Sequence, residues 1–124
     1  METEALNIAA VVAGAVAGFL LGMILYHPRV LGTIWADGSG VDLNGSPPIA
    51  AFAMQILGLV ALAIVVGMTA TINFLGTALL AILAAAFLTL GNGAFARKSK
   101  GALAVDGLYI LGAGVLMIAA QGLL

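Results

Sequence analysis

The chain has no cysteine, which excludes disulfides, thiolate-bound metals and cysteine nucleophiles, although it fixes no compartment. Charge is nearly as scarce, at 7% of residues against about 25% in ordinary globular domains. Four Lys or Arg against five Asp or Glu give a net charge of −1 and leave no basic field to hold nucleic acid. The single histidine, His27, supplies neither a zinc site nor a catalytic dyad, and haem held by two histidines would need a dimer. No HExxH, GxSxG, Walker or dinucleotide-binding pattern occurs. On these absences the sequence predicts no enzyme, no cofactor and no metal.

What is present is apolar surface. Hydrophobic residues make up 64% of the chain and the mean hydropathy is +1.25. From Leu43 to Ala96, fifty-four residues, there is no Asp, Glu, Lys or Arg. About 20 apolar residues cross a bilayer, so that stretch holds two crossings and the turn between them. Ala5 to His27 is a further uncharged run, and Gly107 to Leu124, with the turn before it, supplies a fourth crossing. A soluble domain of this length has too little interior to hide so much. The predicted fold is all-α: a single domain over residues 1–124 forming a polytopic bundle of four transmembrane helices, with spans at about 6–26, 49–70, 74–95 and 102–123.

Local signals set the boundaries. Pro28 biases His27 away from helical geometry and marks the end of span one. Ser46 followed by Pro47 and Pro48 reads as an N-cap with prolines in the first turn of span two. The turn between spans two and three is set near Thr69 to Asn73, the most polar point of the long uncharged stretch. The N-terminus, Met1-Glu-Thr-Glu4, is acidic where a signal peptide is basic, so the first span is expected to be retained. Arg29 falls in the first loop, and Arg97, Lys98 and Lys100 fall in the third. The positive-inside rule then predicts loops one and three in the cytoplasm and both termini outside. Spans one and three echo each other in Ala17-Gly-Phe-Leu20 and Ala85-Ala-Phe-Leu88, but a chain rich in Ala, Gly and Leu generates such matches by chance.

Gly14, Gly18 and Gly22, extended by Ala10, form overlapping GxxxG motifs. Residues four apart share a helix face, so the first span offers a flat groove to a neighbouring helix. The neighbour is another helix of the bundle or a second copy of the chain, and the bundle itself must pack something there. Between Tyr26 and Trp35, the residues Val30, Leu31, Ile34 and Trp35 fall on one side of a short helix. That helix is expected to rest at the membrane interface with Trp35 at headgroup depth and Tyr26 as a second interfacial aromatic. His27 has no second ligand in reach and reads as structural, and Arg29 as an anchor of topology.

The pattern Tyr26-x-Pro28-x-x-x-Gly32-x-x-Trp35, directly after a glycine-rich first span, resembles a family of small bacterial four-span membrane proteins. That family is catalogued as a domain of unknown function, and its members carry Tyr-Ser-Pro, Phe-Gly and Trp at this point. His27 stands where the family has Ser, and Leu31 where it often has Phe. The resemblance implies a fold and a membrane location; it implies no activity, and no catalytic residue carries over.

Asp106 is the one acidic residue inside a predicted span. An intramembrane carboxylate is by default a functional candidate, but this one stands near the start of span four, within reach of Arg97, Lys98 or Lys100. Pairing there, at the positive end of the helix dipole, is the expected role. Tyr109, three residues on, faces the same way as an interfacial aromatic or a hydrogen-bond partner. The deeper neutral polar residues Gln55, Thr77, Thr89, Asn92 and Gln121, with Asn7 near the outer surface, are expected to hydrogen-bond between helices. The run from Asp37 to Pro48 fails as a calcium loop, because Val41 and Pro48 occupy ligand positions.

Two functional readings follow. One is a non-catalytic structural or accessory membrane component, partnered by the lipid bilayer and by its own copies or a larger complex. The other is an oligomeric small-solute transporter or channel. Four spans in a chain this short match the small multidrug-resistance exporters in size, yet those exporters rely on a carboxylate deep in the first span, and none stands here.

Overall fold

In a computed structural model, which describes residues 5–42 and 48–124, the chain is helical, and among the described residues there is no strand. Four long helices carry the fold: α1 (Ile8–Leu25), α3 (Ile49–Thr71), α4 (Leu75–Phe95) and α5 (Lys100–Leu123), with the short α2 (Thr33–Ser39) in the first loop. The long helices contain 18 to 24 residues and have mean hydropathies of 1.9 to 2.6. At 1.5 Å per residue they reach about 27–36 Å, enough to cross a hydrocarbon layer of about 30 Å. The protein is a multi-pass membrane helical bundle.

Each helix boundary has a local cause. Asn7 caps α1 by accepting the Ala10 N–H at 3.0 Å. At its other end His27 is extended (φ −66°, ψ 137°), the geometry that Pro28 requires of it. The α3–α4 turn centres on Asn73 at φ 54°, with the Phe74 N–H bonded to the Thr69 carbonyl and the Asn73 N–H to that of Ala70. The end of α4 repeats this closure with Arg97 at φ 64°, where the Lys98 N–H reaches Gly93 and the Arg97 N–H reaches Ala94. Both are Schellman turns, a motif that usually takes glycine at the left-handed position. Ser99 accepts the Ala102 N–H and starts α5 at Lys100, two residues earlier than hydropathy places the span. Pro48 stands just before α3 as its cap, in extended geometry, rather than inside its first turn; Ser46 and Pro47 lie outside the described residues.

Helix α5 is the centre of the bundle and touches each of the other four α-helices. Its inner face carries Ala102, Val105, Asp106, Tyr109, Ala113 and Met117, all buried. Small residues let it approach so closely. A Cβ added to Gly14 would stand 3.1 Å from the Met117 Cα, and one added to Gly18 would stand 3.3 Å from the Ala113 Cβ. A Cβ on Gly22 would stand 2.9 Å from the Tyr109 ring. The glycine stripe of α1 therefore receives α5 within the bundle, and Leu59 of α3 closes over Gly18 from the other side. On the α4 side, Gly114 admits Ile82 and Gly107 admits Leu90. In lipid such close packing replaces the hydrophobic effect as the force between helices.

The two ends of the bundle differ. At one end Leu6, Val11 and Gln121 crowd around Gly67. At the other, the end of α1, the start of α5 and both loops one and three come together, and the first-loop helix folds back onto α5. Ala36 is its buried residue and Trp35 is half-buried, Gly32 just ahead of it is buried against Tyr26 and His27, and Val30 and Ile34 are exposed. The apolar side expected from Val30, Leu31, Ile34 and Trp35 is thus split: Val30 is exposed, whereas Ile34, though half exposed, packs on Gly101 of α5, where an added Cβ would stand 2.9 Å from its Cγ2. Gly38 donates no side chain, leaving its carbonyl to accept the Ser99 N–H at 2.9 Å, and any Cβ there would collide with the Ser99 hydroxyl and with Ala102.

Replacing Gly18 with Leu is expected to destabilise the bundle by about 1–3 kcal/mol, the usual cost of overpacking. Gly58 has nothing within 4 Å of an added Cβ, so Gly58→Leu should leave stability unchanged. Thermal unfolding of both variants in one detergent, followed by circular dichroism, checks the contrast.

Candidate functional site

The polar residues of the loop-side end converge on Asp106, which is 6% exposed. Asp106 sits on the second turn of α5, deeper than the one turn its position in the predicted span gives, because the Ser99 cap moves the helix start outward. Both of its carboxylate oxygens are used. The Tyr26 hydroxyl, at the C-terminus of α1, donates to Oδ1 at 2.5 Å. The Lys98 ammonium donates to Oδ2 at 3.0 Å. A buried carboxylate is tolerated only with partners of this kind, and a phenol that donates to a carboxylate keeps its own proton.

Aromatic rings surround the pair. Tyr26 meets Trp35 edge-on at 5.1 Å between ring centres, and Tyr109 edge-on at 5.5 Å. These separations fall in the favourable range for edge-to-face rings. The Lys98 Nζ stands 5.5 Å from the centre of the Trp35 ring, within reach of a cation–π contact. Tyr109 is buried inside the bundle, where Gly22 leaves room for its ring, and its hydroxyl accepts a bond from the Gln55 amide at 2.8 Å. It is a core residue with a satisfied polar end. The chain of contacts therefore runs Gln55, Tyr109, Tyr26, Asp106, Lys98, Trp35, joining α3, α5, α1, the α4–α5 turn and α2.

Lys98 reaches Asp106 because of two backbone features. Arg97 in the left-handed conformation turns the chain back across the end of α4. Gly93 then leaves open the surface over which the Lys98 stem lies, since an added Cβ would stand 3.2 Å from the Lys98 Cδ. Of the three cations expected near the carboxylate, Lys98 is the one that pairs with it; Arg97 and Lys100 are exposed.

The remaining candidates lie apart from this centre. His27 is exposed, and its Nδ1 accepts the Arg29 N–H at 3.1 Å, capping the π-helical turn Pro28–Gly32. Arg29 points to the surface. Gly14 and Gly18 belong to the α1–α5 contact below the site, whereas Gly22 forms part of its floor beside Tyr109. Thr69 and Thr89 bond to carbonyls of their own helices. Gln55, expected to bond between helices, does so from α3 to Tyr109 of α5. Ser99 and Gly38 are parts of the site that sequence reading did not single out; Ser99, directly ahead of an apolar run, carried the usual N-cap signal, and Gly38 carried none.

Four apolar spans closed at one end by a carboxylate–tyrosine–lysine cluster define a compact multi-pass membrane bundle. The chain belongs to the family described as Protein of unknown function (DUF1761), which matches residues 9–121. No curated protein and no solved structure matches it.

Tyr26→Phe removes a hydrogen bond to a charged acceptor and is expected to cost about 2 kcal/mol. The loss is to be read from thermal or denaturant unfolding in detergent, with the helical content of the folded protein unchanged.

Proposed function

We propose that this protein is a non-catalytic membrane component, a compact bundle that serves as a structural or accessory chain for other membrane-embedded protein. The observation that carries the reading is the state of Asp106. Its oxygens are occupied by Tyr26 and Lys98, which hold the end of α1 and the α4–α5 turn against α5. A proton carrier or substrate counter-ion would instead present its carboxylate to a pathway. The outer faces of α3 and α4 support the same reading: Met54, Leu57, Leu80, Phe87 and Leu88 are all more than half exposed. They offer broad apolar surface to lipid or to a neighbouring chain. The clustering of Arg29, Arg97, Lys98 and Lys100 at one end supports an orientation with that end in the cytoplasm of a bacterial cell and both termini outside.

The test is native mass spectrometry of the protein extracted from its own membrane in mild detergent, with flux assays on reconstituted liposomes. A second polypeptide at fixed stoichiometry, and liposomes no leakier than empty ones, is the expected result. A homo-oligomer alone, with a solute or proton flux that Asp106→Asn abolishes while the protein stays folded, would replace this reading with transport.

A further inference from the structure

We propose that the loop-side end of the bundle is a binding site for a primary ammonium group, and that Lys98 is the occupant supplied by the chain itself. Three elements build the walls: Asp106 from α5, Tyr26 from the end of α1 and Trp35 from α2. The cation comes from a fourth segment, the turn between α4 and α5. A carboxylate beside an aromatic face is the chemistry by which proteins recognise organic cations. The Lys98 ammonium satisfies both, 3.0 Å from Asp106 Oδ2 and 5.5 Å from the Trp35 ring centre. The Asp106 side chain is 9% exposed and that of Lys98 24%, so the carboxylate forms the back of the site and the ammonium fills its mouth.

Two features let the lysine leave without dismantling the walls. Lys98 belongs to neither flanking helix; its N–H is held by the Gly93 carbonyl, and its stem merely crosses Gly93. The side chain can swing outward while the Schellman turn stays closed. The walls are also held independently of it, since Tyr26 bonds Oδ1 rather than Oδ2 and Gln55 fixes Tyr109 against Tyr26. A vacated site of this kind is preorganised for the next ammonium group. A ligand must compete with the tethered amine, so its apparent affinity falls by the fraction of time Lys98 is away. The ligand is a primary ammonium on a short stem, either free in solution or as the ethanolamine headgroup of a phospholipid. The site requires no assumption about partners or transport.

Trp35 is the one tryptophan in the chain, so intrinsic fluorescence reports on this site directly. Purified Lys98→Ala, titrated with methylammonium chloride against sodium chloride of equal ionic strength, should show a saturable change in Trp35 emission and a rise in Tm. The wild type should respond in the same way at about tenfold or higher concentration, the penalty for displacing the tethered ammonium. Adding Asp106→Asn to the lysine variant should abolish the response. Nanodiscs of phosphatidylethanolamine, compared with phosphatidylglycerol, separate the sources. An emission change with the ethanolamine lipid alone assigns the headgroup, and a change with methylammonium alone assigns a soluble amine. Should Lys98→Ala not fold, the wild type and Lys98→Gln carry the same titration. A folded protein with no saturable change in any of these titrations, or a response that survives Asp106→Asn, would overturn the proposal.

Discussion

A carboxylate buried among apolar helices constrains everything around it. Stripped of partners, Asp106 would carry a desolvation cost of several kcal/mol, so the fold must bring it donors from elsewhere in the chain. It brings a phenol from the end of α1 and an ammonium from the α4–α5 turn. The Tyr26 bond ties together segments eighty residues apart in sequence, and the Lys98 bond ties the α4–α5 turn to a residue eight positions on. They also give the two ends of the bundle different characters. One is a polar, aromatic-lined closure, and the other a contact of Leu6, Val11 and Gln121 over Gly67.

The closure depends in turn on small residues. Tyr109 can sit beneath Tyr26 because Gly22 has no side chain, and Lys98 can reach inward because Gly93 has none. The first-loop helix can rest on α5 because Gly38 and Ala36 allow its backbone to approach Ser99 and Ala102. In water this density of glycine would weaken the helices; in lipid it permits the close contacts that hold them together. Arg97 shows the converse. It occupies a left-handed position better suited to glycine, and the conformational cost is offset by directing Lys98 onto the carboxylate.

Much of this architecture was legible in the sequence. The length of a bilayer crossing and the near absence of charge dictate four helices, and Pro28 dictates where α1 stops. Asp106 stood out because a charge in an apolar span is conspicuous. Its partners did not. Tyr26 read as an interfacial aromatic, since nothing in a linear pattern says which neighbour a glycine stripe receives or how two helices rotate against each other. The choice of Lys98 over Arg97 and Lys100 rests on one backbone angle, which no residue type there announces. In the first-loop helix the large apolar residues suggested the contact, and small residues share it: Ile34 packs on Gly101 while Ala36 and Gly38 bring the backbone close to α5.

The dependence of the fold on the Tyr26–Asp106 contact is open to direct measurement by a double-mutant cycle. The stabilities of wild type, Tyr26→Phe, Asp106→Asn and the double variant, taken in one lipid or detergent, isolate the coupling between the two side chains. A shared hydrogen bond to a charged acceptor gives a coupling of about 1–3 kcal/mol, the double variant being much less destabilised than the sum of the singles. Additive effects, with a coupling near zero, would contradict the place given to Asp106 at the centre of the structure.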